Sequence, residues 1–294
     1  MRFGVLGWLF LGLMAPFMAS LTAQALEGLN IANAPLAVSQ ASPSVFMLFA
    51  KSQVGQESSV HVAAAFVVSH SVNNGISYIE LLTAKHVIES FCQSDGRCPA
   101  LQLYQNPRIE YRDYNYDFKN AGPYTMNPQL IAKSEKSDLA LLRIPWSSKK
   151  PIHELRFVEN LPRSSDKLYP IGFPIVYRRE LPGSSVQPTL VTKRWSEGHL
   201  ISLIKEERGF NFIRIKPGDS APFLLGISAD GMNGNSGGPV INDEGAAAGI
   251  VYATAAIAAN RYAFTGSNGE NENFHIAVIP AYVILEFLKT LRQN

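Results

Sequence analysis

At 294 residues the chain exceeds any stapled mini-protein and is long enough to bury one large core or two smaller ones. Charged residues make up 17% and hydrophobic residues 46%, a globular balance, and the formal net charge of +2 includes no long basic run. Nucleic-acid binding therefore has no support, and no tandem period of the solenoid type is present.

In chain order, the first segment reads as an export signal. Arg2 precedes an apolar stretch from Val5 to Phe17, and a small-residue A-x-A site follows at Ala23-Gln24-Ala25. Residues 1–25 are expected to be removed, leaving Leu26 first in a soluble mature chain. The apolar stretch is shorter than the ~20 residues of a spanning helix, no later segment reads as transmembrane, and the signal has no cysteine for lipid attachment. Residues 26–43, rich in Ala, Asn, Ser and Pro, are expected to form an irregular lead-in.

Strand signals then follow one another. Val45 to Ala50, Val62 to Val68, Ile76 to Thr83 and Leu101 to Tyr104 are short apolar or β-branched runs bounded by turn residues. Asn74-Gly75 suits a tight hairpin between the second and third runs, because both residues tolerate positive φ. Further runs are Leu139 to Ile144, Ile201 to Ile204, Phe210 to Ile215, Pro239 to Ile241 and Ala248 to Tyr252. Many short strands without intervening amphipathic helices predict an all-β fold, a sandwich or barrels. The stretch Tyr111 to Phe118 reads as an exposed strand and loop, since no basic groove accompanies its tyrosines. The polar patch Ser147-Ser148-Lys149-Lys150-Pro151 divides the strand-rich region into 44–150 and 151–294. After Pro280, Val283, Ile284, Phe287, Leu288 and Leu291 fall on one face of a helix. The two cysteines, Cys92 and Cys98, lie six positions apart in a loop and can oxidise to a local clasp in an exported protein. Zinc binding would need more ligands than this loop offers.

Three motifs carry chemistry. Gly234-Asn235-Ser236-Gly237-Gly238-Pro239 places glycines on both sides of a serine, which lets the backbone bend sharply and aim N–H groups at a reacting carbonyl oxygen. Leu81-Leu82-Thr83-Ala84-Lys85-His86 sets a histidine just after an apolar strand, a context that His61, His70, His153, His199 and His275 lack. Ser137-Asp138-Leu139-Ala140-Leu141-Leu142 puts a carboxylate at the head of a strongly apolar strand. Asp113 and Asp117 compete for the same role but lie in a polar stretch, so Asp138 is preferred.

Taken in the order His, Asp, Ser, these motifs resemble the T-A-x-H, D-x-A-L-L and G-x-S-G-G-P hallmarks of the trypsin-like (chymotrypsin-fold) serine peptidases. The likeness covers most of residues 44–292, with weaker echoes at Tyr169 to Pro174 and at Gly249-Ile250-Val251-Tyr252. It implies two antiparallel β-barrels and a short C-terminal helix, with the site between the barrels. It also implies catalysis of peptide-bond hydrolysis by His86, Asp138 and Ser236 through an acyl-enzyme, with the N–H groups of Gly234 and Ser236 as oxyanion donors. Such chemistry needs no metal or organic cofactor, and its partners are protein or peptide substrates in the periplasm or outside the cell.

One departure from the digestive trypsins is Asn235, where those enzymes carry an aspartate that pairs with a newly freed N-terminus. Activity is therefore expected not to depend on cleavage at a specific N-terminus. The substrate pocket has two readings. Asp230 lies where trypsin carries its Arg- and Lys-binding carboxylate, but Met232 and Asn233 break the surrounding pattern. His275 is the other candidate and would favour acidic residues, although a hydrogen-bonded structural histidine is its plainer reading. Tyr252 and Thr254 lie on or just past the strand that the resemblance assigns to the cleft wall. The competing function is a catalytically silent binding or chaperone module of the cell envelope. An appended peptide-binding domain is not expected, because the chain ends directly after the terminal helix.

Overall fold

The structure, a computed structural model, describes residues 34–54, 57–89, 91–112, 115–119, 125–126, 128–147, 152–174, 189–204, 224–231, 234–254 and 276–293. The export signal, Asp113, the expected strand from Phe210 to Ile215, and His275 lie outside these residues.

The chain is predominantly β and forms two large antiparallel sheets. The first is built from β1 (Val45–Val54), β2 (Glu57–Asn73), β3 (Ile76–Ala84), β4 (Leu101–Tyr104), β7 (Thr125–Met126), β8 (Gln129–Lys133) and β9 (Leu139–Pro145). A separate small sheet pairs β5 (Arg108–Arg112) with β6 (Asn115–Lys119) and with β11 (Thr189–Val191). The second large sheet contains β10 (Lys167–Gly172), β12 (Arg194–Trp195), β13 (Gly198–Ile204), β14 (Leu224–Ile227), β15 (Pro239–Asn242), β16 (Ala247–Thr254) and β17 (Ile276–Pro280). Its order, β12-β10-β13-β14-β17-β16-β15, returns on itself because β15 also pairs with β10, closing a six-stranded barrel. Closure removes the unpaired strand edges that would otherwise invite association. The first sheet runs β7-β4-β1-β2-β3-β9-β8. The loop entering β4 reaches its far edge, where Arg97 bridges Gln129 and Leu130 N–H donates to Gly96 O at 2.7 Å.

The continuous apolar runs of β1 and β2 follow from burial on both faces. Val45, Met47 and Phe49, with Val62, Ala64 and Phe66, join a core shared with Tyr169, Ile171, Ile241 and Ile250 of the second sheet. The alternate residues Phe46, Leu48, Ala63, Ala65 and Val67 fill the interior of the first sheet. A strand that faces solvent on one side alternates polar and apolar residues; these have no such side. The Asn74-Gly75 turn joins β2 to β3 with φ of 50° and 77°, as the sequence predicts.

Among the described residues three α-helices complete the fold: α1 (Leu36–Ala41), α2 (Lys85–Ile88) and α3 (Ala281–Arg292). The lead-in is thus not irregular throughout. Pro35 fixes the entry to α1, and burial of Ala37, Val38 and Ala41 holds a helix too short to be stable alone. The expected C-terminal helix forms after Pro280, with Ile284 and Phe287 in the shared core and Val283, Leu288 and Leu291 packed against it. Cys92 and Cys98 are disulfide-bonded.

Lys193, just before β12, joins three parts of the molecule. Its side chain is buried, Nζ donates to Ser42 O at 2.7 Å and to Asn106 Oδ1 at 2.9 Å, and it lies 5.6 Å from the Phe173 ring centroid. No carboxylate pairs with it among the described residues, and burial pushes the amine down to about 7.

Candidate active site

His86 occupies the first turn of α2, directly after β3, whose last residue Ala84 is paired with Leu139 of β9. That register brings the start of α2 beside the residue preceding β9, which is Asp138. Three hydrogen bonds fix the junction. Lys85 N–H donates to Asp138 O at 3.1 Å, His86 N–H donates to Asp138 Oδ1 at 2.8 Å, and His86 Nδ1 lies 2.5 Å from Asp138 Oδ2. A carboxylate only accepts, so Nδ1 carries the shared proton, and in the neutral ring the lone pair is then on Nε2. Asp138 is fully buried, whereas the His86 side chain keeps 34% of its exposure. The turn before Asp138 is tied as well: Ser134 Oγ accepts from Lys136 N, Ser137 N and Ser137 Oγ, and Lys85 Nζ donates to Ser134 O at 2.9 Å. The competing Asp117 lies in β6, outside the sheet that carries His86.

Ser236 lies in the turn that leads into β15, half-buried and open to solvent. The flanking Gly234 and Gly237 have φ of 99° and 81°, which an L side chain rarely adopts. Gly237 is also hemmed in, since an added Cβ would fall 2.2 Å from Ala64 O and 2.4 Å from Thr83 Oγ1. The turn is bolted to both sheets. Ser236 O accepts from Ala64 N–H of β2 at 2.9 Å, and Gly237 N–H donates to Val251 O of β16 at 2.9 Å. Thr83 Oγ1 donates to Ala64 O at 2.8 Å, linking the serine turn to the strand that ends two residues before His86. Thr83 was not singled out for this role by sequence, although it stands inside the histidine motif. The N–H groups of Gly234 and Ser236 make no hydrogen bond among the described residues.

Tyr252 of β16 sits against these residues. Its ring is nearly buried and stands at 90° to the His86 imidazole, centroids 6.2 Å apart, and its carbonyl is 3.5 Å from Ser236 Oγ. The tyrosine expected in the cleft wall is therefore a neighbour of the histidine. Asp230 is exposed and lines a cavity with Pro170, Pro174, Arg194, Trp195, Ser196 and Asn235, a lining that includes neither His86 nor Ser236. Thr254 is carried by β16 opposite Ile276 of β17. Among the described residues no group of three His, Cys, Asp or Glu side chains could hold a metal ion, and no helix is long and apolar enough to cross a membrane.

Comparison with known proteins gives a family and a fold. The sequence profile of the trypsin-like peptidase domain matches residues 63–250, a span that contains His86, Asp138 and Ser236. Among solved structures, the active form of the Rv3671c protease from M. tuberculosis is similar at a TM-score of 0.52 and 17% identity, covering 87% of this chain and 84% of that one. Its inactive form gives 0.52 and 16%, with 87% and 92% covered. The HtrA-type protease AlgW with a tripeptide gives 0.50 and 20%; the match covers 89% of this chain but 63% of AlgW. At these identities the likeness is one of fold. No curated protein sequence matches the chain significantly.

Proposed function

The chain belongs to the trypsin-like peptidase domain family and is a serine-type peptidase, and from that premise we propose an endopeptidase in which Ser236, His86 and Asp138 act as one triad through an acyl-enzyme. The observation that carries this reading is the pairing of a partly exposed imidazole with a fully buried carboxylate at 2.5 Å.

A serine hydroxyl is a weak nucleophile at neutral pH, so its proton must leave as the oxygen attacks. His86 Nε2, the ring nitrogen turned away from Asp138, takes that proton while Ser236 Oγ bonds to the peptide carbonyl carbon. The imidazolium then gives the proton to the leaving amine, the C–N bond breaks, and an ester to Ser236 remains. Water repeats the sequence, losing its proton to Nε2 and releasing the acid. Asp138 holds the tautomer and offsets the positive charge on His86 without taking a proton, and its burial strengthens that effect by excluding water. The N–H groups of Gly234 and Ser236 are the oxyanion donors in this reading, a role suited to their lack of other partners among the described residues.

The substrates are proteins or peptides, a reading supported by the tripeptide that AlgW holds in its own structure. The chain acts after export, in the periplasm or beyond, as its signal-like first segment indicates. The Cys92–Cys98 bond suits such an oxidising compartment. A fluorophosphonate probe, which labels activated serines, tests the reading on purified mature protein. Labelling of wild type that is lost in Ser236→Ala and in His86→Ala is expected. A folded wild type that takes no label would sink the proposal and favour the silent binding module.

A further inference from the structure

Asn235 stands between the two residues assigned as oxyanion donors, and its side chain turns towards β10. It is 7% exposed, and a Cβ on Gly172 would fall 2.5 Å from its Oδ1. That buried oxygen accepts no hydrogen bond among the described residues. On the neighbouring strand, Arg194 is the register partner of the same Gly172, and its Nη1 is also buried without a partner among the described residues. Burial disfavours the charge on this guanidinium, and Arg194 has no ion pair among the described residues. Arg194 and Asn235 line one cavity with Ser196 and Asp230. Leaving either atom unpaired in the interior is costly, so a bridging group is called for.

The two atoms are complementary, one a donor and the other an acceptor. An anion would satisfy Arg194 but oppose the lone pairs of Asn235 Oδ1, and a cation would do the reverse. We propose that one ordered water bridges Arg194 Nη1 and Asn235 Oδ1 in this cavity, making both side chains positioning residues for the Ser236 turn. The water accepts from the guanidinium and donates to the amide oxygen. Its second proton finds an acceptor in Ser196 Oγ, whose own proton goes to Asp230 O at 3.1 Å. Two to four polar partners are what a retained buried water requires. Through it the serine turn is tied to β12, a strand with no residue in the triad.

The consequence for rate rests on the triad reading; the water site does not, and the two are separable by experiment. A high-resolution crystal structure, with and without a bromide soak, reads the site itself. A double-mutant cycle with Arg194→Met and Asn235→Leu reads its effect on kcat, KM and thermal midpoint. Expected are a water peak between the two side chains, a loss of about tenfold in kcat for each single variant with KM within about twofold, and a double variant no worse than the poorer single. Asn235→Asp should recover most of what Asn235→Leu loses, and Asn235→Ala takes the place of Asn235→Leu in the cycle should the latter fail to fold. Bromide density at the bridge, direct contact between the two side chains, or additive losses would overturn the proposal. Should Ser236→Ala keep full activity, the triad reading falls, while the water peak and the coupling in thermal midpoint still decide the site.

Discussion

Lys193 offers a test in which the structure sets both sign and size. A lysine held at about 7 in the folded chain and at 10.5 when exposed binds a proton less readily in the native state. Unfolding therefore takes up a proton between those pH values, and stability rises with pH across that window by about 1.4 kcal/mol per pH unit. Below pH 7 both states are protonated and the full penalty applies, on the order of 5 kcal/mol. Above about 10.5 it is gone. Lys193→Met removes the penalty but leaves Ser42 O and Asn106 Oδ1 without their donor, at about 1–3 kcal/mol each. The net effect at one pH is thus a small difference, whereas the slope is clean. Urea denaturation of wild type and Lys193→Met at pH 7, 8 and 9, with the disulfide intact, should show wild type gaining about 2–3 kcal/mol on the variant between pH 7 and 9. Other titrating groups cancel in the difference. Parallel stability curves would refute the reasoning and show that the amine keeps its ordinary proton affinity.

Three further outcomes are expected. Asp138→Asn preserves an acceptor for His86 N–H but imposes the wrong imidazole tautomer, so kcat against a peptide substrate should fall by about 10⁴ with little change in melting temperature. Gly237→Ala drives a methyl into Ala64 O and Thr83 Oγ1 at a φ of 81°, so probe labelling of Ser236 should be lost even in soluble protein. Replacing Cys92 and Cys98 together by serine opens a seven-residue loop, and urea titration should register a loss of about 2 kcal/mol.

What could be read from the sequence was what local chemistry dictates. The apolar runs of β1 to β4, the Asn74-Gly75 hairpin and the helix after Pro280 each carry their cause within a few residues. The histidine, aspartate and serine motifs were equally visible, and the structure brings His86 and Asp138 into contact through the pairing of β3 with β9. Other features depend on distant partners. α1 forms because Val38 and its neighbours meet the shared core, which composition alone could not show. Closure of the second barrel depends on β10 meeting β15, more than sixty residues away in sequence. Tyr252 was placed in the cleft by its strand, yet its ring lies against His86, because ring direction is decided by packing and not by register. Asp230, read from its spacing to Ser236 as a candidate specificity carboxylate, is exposed and lines a cavity with Arg194 and Trp195, neighbours that spacing alone does not name.

The hydrogen bond from Ala64 N–H to Ser236 O crosses from the first sheet to the turn that bears the serine. Parting of the sheets at this point breaks that bond and separates Ser236 from the strand leading to His86. If the proposed triad holds, the Ala64 amide is thus a built-in gauge of its assembly. Exchange of its hydrogen with solvent reports openings that part the serine turn from the first sheet, and its protection measures the free energy that holds the two together.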